Sequence, residues 1–148
     1  MTTTYERPDD DDTAAWDGRM MAGIGQSIPM KFELVSKERV VMTMEVTPRV
    51  HQPFGILHGG ASLVLAESAA SVGAGRNCPP GMVAVGQEIN ANHIRSKRGG
   101  VVCAVAEPVH VRRTSQVWTI EIRDEAGKLV CISRCTLAVV PAPSAREE

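Results

Sequence analysis

The chain has 148 residues, the usual size of one domain and long enough to enclose a single hydrophobic core. Its 16 Lys and Arg against 17 Asp and Glu give a formal net charge of -1, which excludes a general basic attraction to nucleic acid or to an anionic membrane surface. Aromatic residues make up only 3%, so the core must be built from Val, Ile, Leu, Ala, Met and Cys.

The segment MTTTYERPDDDD ends in four aspartates and has no apolar face to bury, which predicts a disordered acidic arm over residues 1–12. From Thr13 to about Ile24 a short helix is expected, with Asp12 or Thr13 as N-cap and Trp16, Met20 and Met21 as candidate buried positions. Extended segments follow. In RVVMTMEVT, Val40, Met42, Met44 and Val46 share one face and Val41, Thr43 and Glu45 the other. Pro48 and HQPFG end that strand. Good or neutral helix formers from about Gly60 to Gly73, apolar nearly all round, predict a buried helix.

After the turn signal NCPPG the chain reads as strands: MVAVGQEINANHI, GVVCAVAEPVHV, QVWTIEIRD and LVCISRCTLAVV, broken by SKRGG, RRTS and DEAG. The last break predicts a tight hairpin with Gly127 in the left-handed region. Cys131, Ser133 and Cys135 share a strand face, where small residues suit a core, and the four cysteines show neither CxxC pairing nor zinc-site spacing. A reduced, cytoplasmic protein is expected, with no membrane span. Residues 13–140 form the expected domain, and 141–148 a flexible tail. One apolar helix among so many strands predicts an α+β domain in which a single antiparallel sheet curls around it.

Between Arg49 and Arg76, Glu67 is the only side chain with a full charge at neutral pH. Burying an ionised carboxylate is costly, so this Glu is either a general base or nucleophile whose environment tunes it, or a structural Glu paired with an Arg or facing water. The sequence His58-Gly59-Gly60 opens the helix, where free N–H groups favour a developing oxyanion; the bland reading is a glycine turn. Ser71, one turn beyond Glu67, either orients the carboxylate or a water, or simply gives room for another helix. Gly59 and Glu67 are eight residues apart, about 12 Å along a helix. They cannot both reach one carbonyl carbon within one chain. If both act, the site must form between two subunits whose helices run antiparallel across a two-fold axis. Arg95, Lys97, Arg98, Arg112 and Arg113, with Thr114 and Ser115, lie in or beside predicted loops, as phosphate ligands or as solvated charges.

The string QPFGILHGGASLVLAES, Gln52 to Ser68, with PVHVRRTSQVW and SRCTLAV further on, resembles the hotdog-fold acyl-CoA thioesterases. That group includes the phenylacetate-degradation, 4-hydroxybenzoyl-CoA and 1,4-dihydroxy-2-naphthoyl-CoA thioesterases. The resemblance implies a hotdog fold and hydrolysis of an aromatic or otherwise bulky acyl-CoA, with Glu67 as base or nucleophile and the Gly59 N–H polarising the carbonyl. It implies further that Gln52 and His58 stand beside the carbonyl and water, and that Ser71 is a supporting group. The CoA arm is then expected past Gly86, past His93, Ile94, Arg95 and Ser96, and past His110, Val111, Arg112, Arg113, Thr114 and Ser115. Arg112 departs from relatives that often carry Gly there, placing a bulky cation near that path. A dimer or dimer of dimers is expected, with no metal or cofactor, CoA being part of the substrate. The rivals are a non-catalytic acyl-CoA sensor and a hotdog 3-hydroxyacyl-thioester dehydratase or hydratase. The Glu67 and HGG combination argues against the first, and the absence of a Pro-rich approach to the His against the second.

Overall fold

A computed structural model describes residues 12–20 and 22–143. The arm before Asp12, Met21, the Met20 side chain and the residues after Pro143 lie outside the described residues. Helix α1, Thr13–Met20, is capped by Asp12, whose Oδ1 accepts the Ala15 N–H at 2.9 Å. The helix was expected to reach Ile24 but stops at Met20; Gly23, at φ 60°, has a left-handed backbone that cannot continue a right-handed helix, and a separate 3-10 turn spans Gly23–Gln26. Trp16 is buried against Phe32, with ring centroids 6.2 Å apart, and Asp17 accepts the Phe32 N–H at 2.7 Å. These contacts fasten α1 to β1.

Six strands follow: β1 (Met30–Val35), β2 (Val40–Glu45), β3 (Met82–His93), β4 (Val101–Val111), β5 (Ser115–Asp124) and β6 (Leu129–Pro141). They form one antiparallel sheet in the order β1-β2-β4-β5-β6-β3. The alternation read in β2 holds, with Val40, Met42, Met44 and, just beyond, Val46 all buried. So does the shared face of Cys131, Ser133 and Cys135 in β6, and Gly127 turns the β5–β6 hairpin at φ 75°.

Helix α2, Gly59–Arg76, lies against all six strands, so the sheet wraps it as the α+β hotdog arrangement requires. It runs past the expected Gly73, because that glycine is a packing position rather than a stop: a Cβ there would collide with the buried Trp118 indole. The helix is not buried all round. Leu65, Ala66, Ala69, Ala70, Gly73 and Ala74 face the sheet, while Val64, Glu67, Ser68, Ser71 and Val72, spaced as one helical stripe, are half-exposed. No helix among the described residues is long and apolar enough to cross a membrane.

Candidate active site

The connection from β2 into α2 sets the first half of the site. His58 is the N-cap, and its Nδ1 accepts the Gly60 N–H at 2.8 Å. A ring nitrogen that accepts carries no proton, so the hydrogen sits on Nε2, the atom left to serve a ligand. The His58 carbonyl takes the N–H groups of Ala61 and Ser62 at 3.0 and 3.3 Å. The Gly59 N–H has no acceptor among the described residues and stands at the positive end of an 18-residue helix. An oxyanion donor has this character. The Gln52 carboxamide oxygen accepts the Phe54 N–H, so the group it can offer a substrate is its NH₂ donor.

Gly59 and Gln52 line a cavity of about 280 Å³ together with His93, Ile94, Arg95 and Ser96, and with Ile56, Leu57, Ser62 and Val130, which the sequence did not single out. His93 belongs to the oxyanion end itself: a Cβ on Gly59 would stand 2.6 Å from its Nε2. The loop bearing Arg95 also braces the Gln52 turn. Arg98 Nη1 donates to the Phe54 and Gly55 carbonyls at 3.3 and 3.4 Å, His51 Nε2 donates to the Arg98 carbonyl at 2.8 Å, and Lys97 is ion-paired with Glu125. Two members of the basic cluster are therefore structural, leaving Arg95, Arg112 and Arg113 as exposed cations.

The second half lies further along α2. Glu67 and Ser71 line another cavity, about 300 Å³, with Ile24, Val64, Ser68 and Val72. The carboxylate is half-buried and rests on the backbone of Gly86, where β3 carries a bulge between Gly86 and Glu88. Gly86, expected on the CoA path, thus provides room for Glu67. The Cys135 thiol, pushed up to about 11 by burial first and then by the charges of Glu67 and Glu88, stays protonated at neutral pH and is not a nucleophile there.

Glu67 and Gly59 face different cavities of the same chain, as their spacing on one helix demands. His110, Val111, Arg112, Arg113, Thr114 and Ser115 line neither cavity. They form the end of β4, the β4–β5 turn and the start of β5, closed by Arg112 N–H to the Ser115 carbonyl at 3.0 Å and fastened by Val139 N–H to the Thr114 carbonyl at 3.0 Å. The stripe of Val64, Ser68 and Val72 beside Glu67 was legible from helical spacing; Ile24 carried no signal.

Residues 54–131 match the thioesterase superfamily. The chain is 52% identical to the 1,4-dihydroxy-2-naphthoyl-CoA hydrolase of Listeria monocytogenes over 117 residues, covering 79% of this chain and 95% of that one. It is 51% identical to the Escherichia coli protein of the same name over 114 residues, 76% of this chain and 83% of the other. A solved thioesterase from Haemophilus influenzae superposes with a TM-score of 0.86 at 34% identity, over 94% of this chain and 97% of that one.

Proposed function

Because this chain belongs to the thioesterase superfamily, we propose that it hydrolyses an aromatic or similarly bulky acyl-CoA at a site completed by two copies of the chain. The observation that carries this reading is the separation of its two half-sites: an amide suited to an oxyanion in one cavity, a carboxylate in another, on one rigid helix. The relatives named for 1,4-dihydroxy-2-naphthoyl-CoA support an aroyl group.

The thioester carbonyl oxygen accepts the Gly59 N–H of one subunit at the helix N-terminus, with Gln52 and His58 beside it. Glu67 of the other subunit takes a proton from water as the water oxygen attacks the carbonyl carbon, or attacks that carbon itself to give an acyl anhydride that water then opens. Either way the carbon–sulfur bond breaks, the sulfur leaves as thiolate and takes a proton, and the products are the free acid and CoA. Ser71 supports the carboxylate or water. Arg95 and Ser96, and the β4–β5 turn with Arg112 and Arg113, are the cations and hydroxyls for the CoA phosphates.

Glu67→Gln alone lowers kcat by about 10²–10⁴. Mixing it with Gly59→Val tests the shared site. Each mixed dimer keeps one intact pair, so random reassociation restores about a quarter of the parent activity, while each variant alone stays inactive. A mixture as inactive as its parts refutes the two-chain site.

A further inference from the structure

A thioester presents two unlike arms to the carboxylate, and the two cavities differ in the same sense. The Gly59 cavity carries Arg95, Ser96 and His93, which suit the charged and polar CoA arm. Among the described residues the Glu67 cavity carries no cation; apart from Glu67 and two serine hydroxyls its walls are Val64, Val72 and Ile24. That lining suits an apolar acyl group. Two of the aliphatic walls belong to α2. The third, Ile24, comes from the 3-10 turn Gly23–Gln26, outside the residues 54–131 matched by the family.

Ile24 is 55% exposed although it is large and apolar, and its exposed surface borders the pocket that holds the carboxylate. The turn that carries it is held from several directions. Its carbonyl accepts the N–H groups of Ser27 and Ile28 at 3.0 and 3.2 Å, Gly25 is buried, and Arg49 Nη2 donates to the carbonyls of Gln26 and Ser27 at 3.3 and 3.0 Å. A side chain on a braced backbone sets a fixed limit on what fits beside it.

We propose that Ile24 is a specificity-determining residue: it forms the wall that limits the size of the acyl ring system accepted beside Glu67. This rests on the thioesterase reading above and adds to it the group that chooses among ring-containing acyl-CoA substrates. A cavity of about 300 Å³ is at the small end of ligand sites, where the loss or gain of a few methylenes changes which acyl group fits.

The test is the ratio of kcat/KM for 2-naphthoyl-CoA to that for benzoyl-CoA, read by thiol release in the parent, Ile24→Ala and Ile24→Phe, with the dimer checked by light scattering. Ile24→Ala raises the ratio about tenfold and Ile24→Phe lowers it by a similar factor. A ratio within about twofold of the parent in both active variants overturns the role of Ile24 while leaving the hydrolase reading intact. A variant whose dimer is weakened, and whose remaining dimer, assayed at high protein concentration, keeps the parent's ratio, also overturns it and shows that Ile24 serves the subunit contact instead. No thiol release from any acyl-CoA by the parent overturns the functional reading, and this inference with it.

Discussion

Gly86 lacks a positive φ, so its backbone would accept any side chain; what forbids one is the Glu67 carboxylate occupying the place of a Cβ. Gly86→Ala therefore displaces the carboxylate without straining the strand. The expected result is a loss in kcat of about 10²-fold, the scale of a misplacement near 1 Å, with a thermal midpoint close to the parent's; steady-state kinetics with a melting curve check both. Gly59 differs only in its neighbour, since a Cβ there meets the His93 ring. The sequence marked Glu67 and Gly59 by charge isolation and helix position, both of which are local properties. It could not say that Gly86 and His93 close on them, because those contacts join residues far apart in the chain. The conflict between helix spacing and shared chemistry, by contrast, was readable from 1.5 Å per residue alone.

Side chains that take no part in the chemistry brace the structure around both ends of α2. At its C-terminal end the buried Gln116 donates Nε2–H to the Ala74 carbonyl at 3.0 Å and accepts the Trp118 indole N–H at 3.0 Å, while the indole fills the space left by Gly73. Gly73→Ala forces the ring and helix apart, and is expected to cost about 1–3 kcal/mol in urea unfolding despite the better helix propensity of Ala. Near the N-terminal end, the loop after β3 is held by Lys97 to Glu125, whose other oxygen accepts the Val101 N–H at 2.6 Å. The Lys97 bond first, and the Val101 bond next, hold the Glu125 carboxyl at about 2 instead of 4.5. A depressed carboxyl pKa stabilises the fold above its ordinary value and loses that contribution as pH falls through the folded one. The difference in thermal midpoint between parent and Glu125→Gln should thus be constant above about pH 5 and vanish by about pH 2, and it should shrink in high salt. Strand boundaries after Gly81 were legible because alternating apolar residues are punctuated by SKRGG, RRTS and DEAG. Gly23 and Gly25 mark the end of the first helix in the sequence, but the helix is shorter than expected because Gly23, with its left-handed backbone, opens a separate 3-10 turn that takes in Ile24.

The sheet has two edges, and they are treated differently. β1 is backed by α1 through Trp16, Phe32 and Asp17, whereas β3 is twelve residues long, carries mostly exposed side chains and ends the sheet with one side unpaired among the described residues. A long open edge offers a row of backbone donors and acceptors to another chain. The half-exposed stripe of α2 at Val64, Glu67, Ser68, Ser71 and Val72 also awaits cover. The second copy proposed above would use both features. On serial dilution, specific activity is expected to fall over the same concentration range in which sedimentation shows dimers dissociating; full activity in the monomer would contradict a shared site. Helix geometry in the sequence leads to the expectation of a two-chain site if Gly59 and Glu67 both act, but which strand edge stays open depends on sheet order, which no local pattern contains. The state of the cysteines has a practical consequence at this scale. Burial raises the thiol pKa of Cys103, Cys131 and Cys135, and Cys78 is buried. In an enzyme whose product is itself a thiol, Cys103, Cys131 and Cys135 therefore hold less thiolate than a free cysteine, which slows their exchange with acyl groups and with the dyes that detect free CoA. In a colorimetric assay the colour contributed by these three sulfurs builds slowly, and the fast early colour reports turnover.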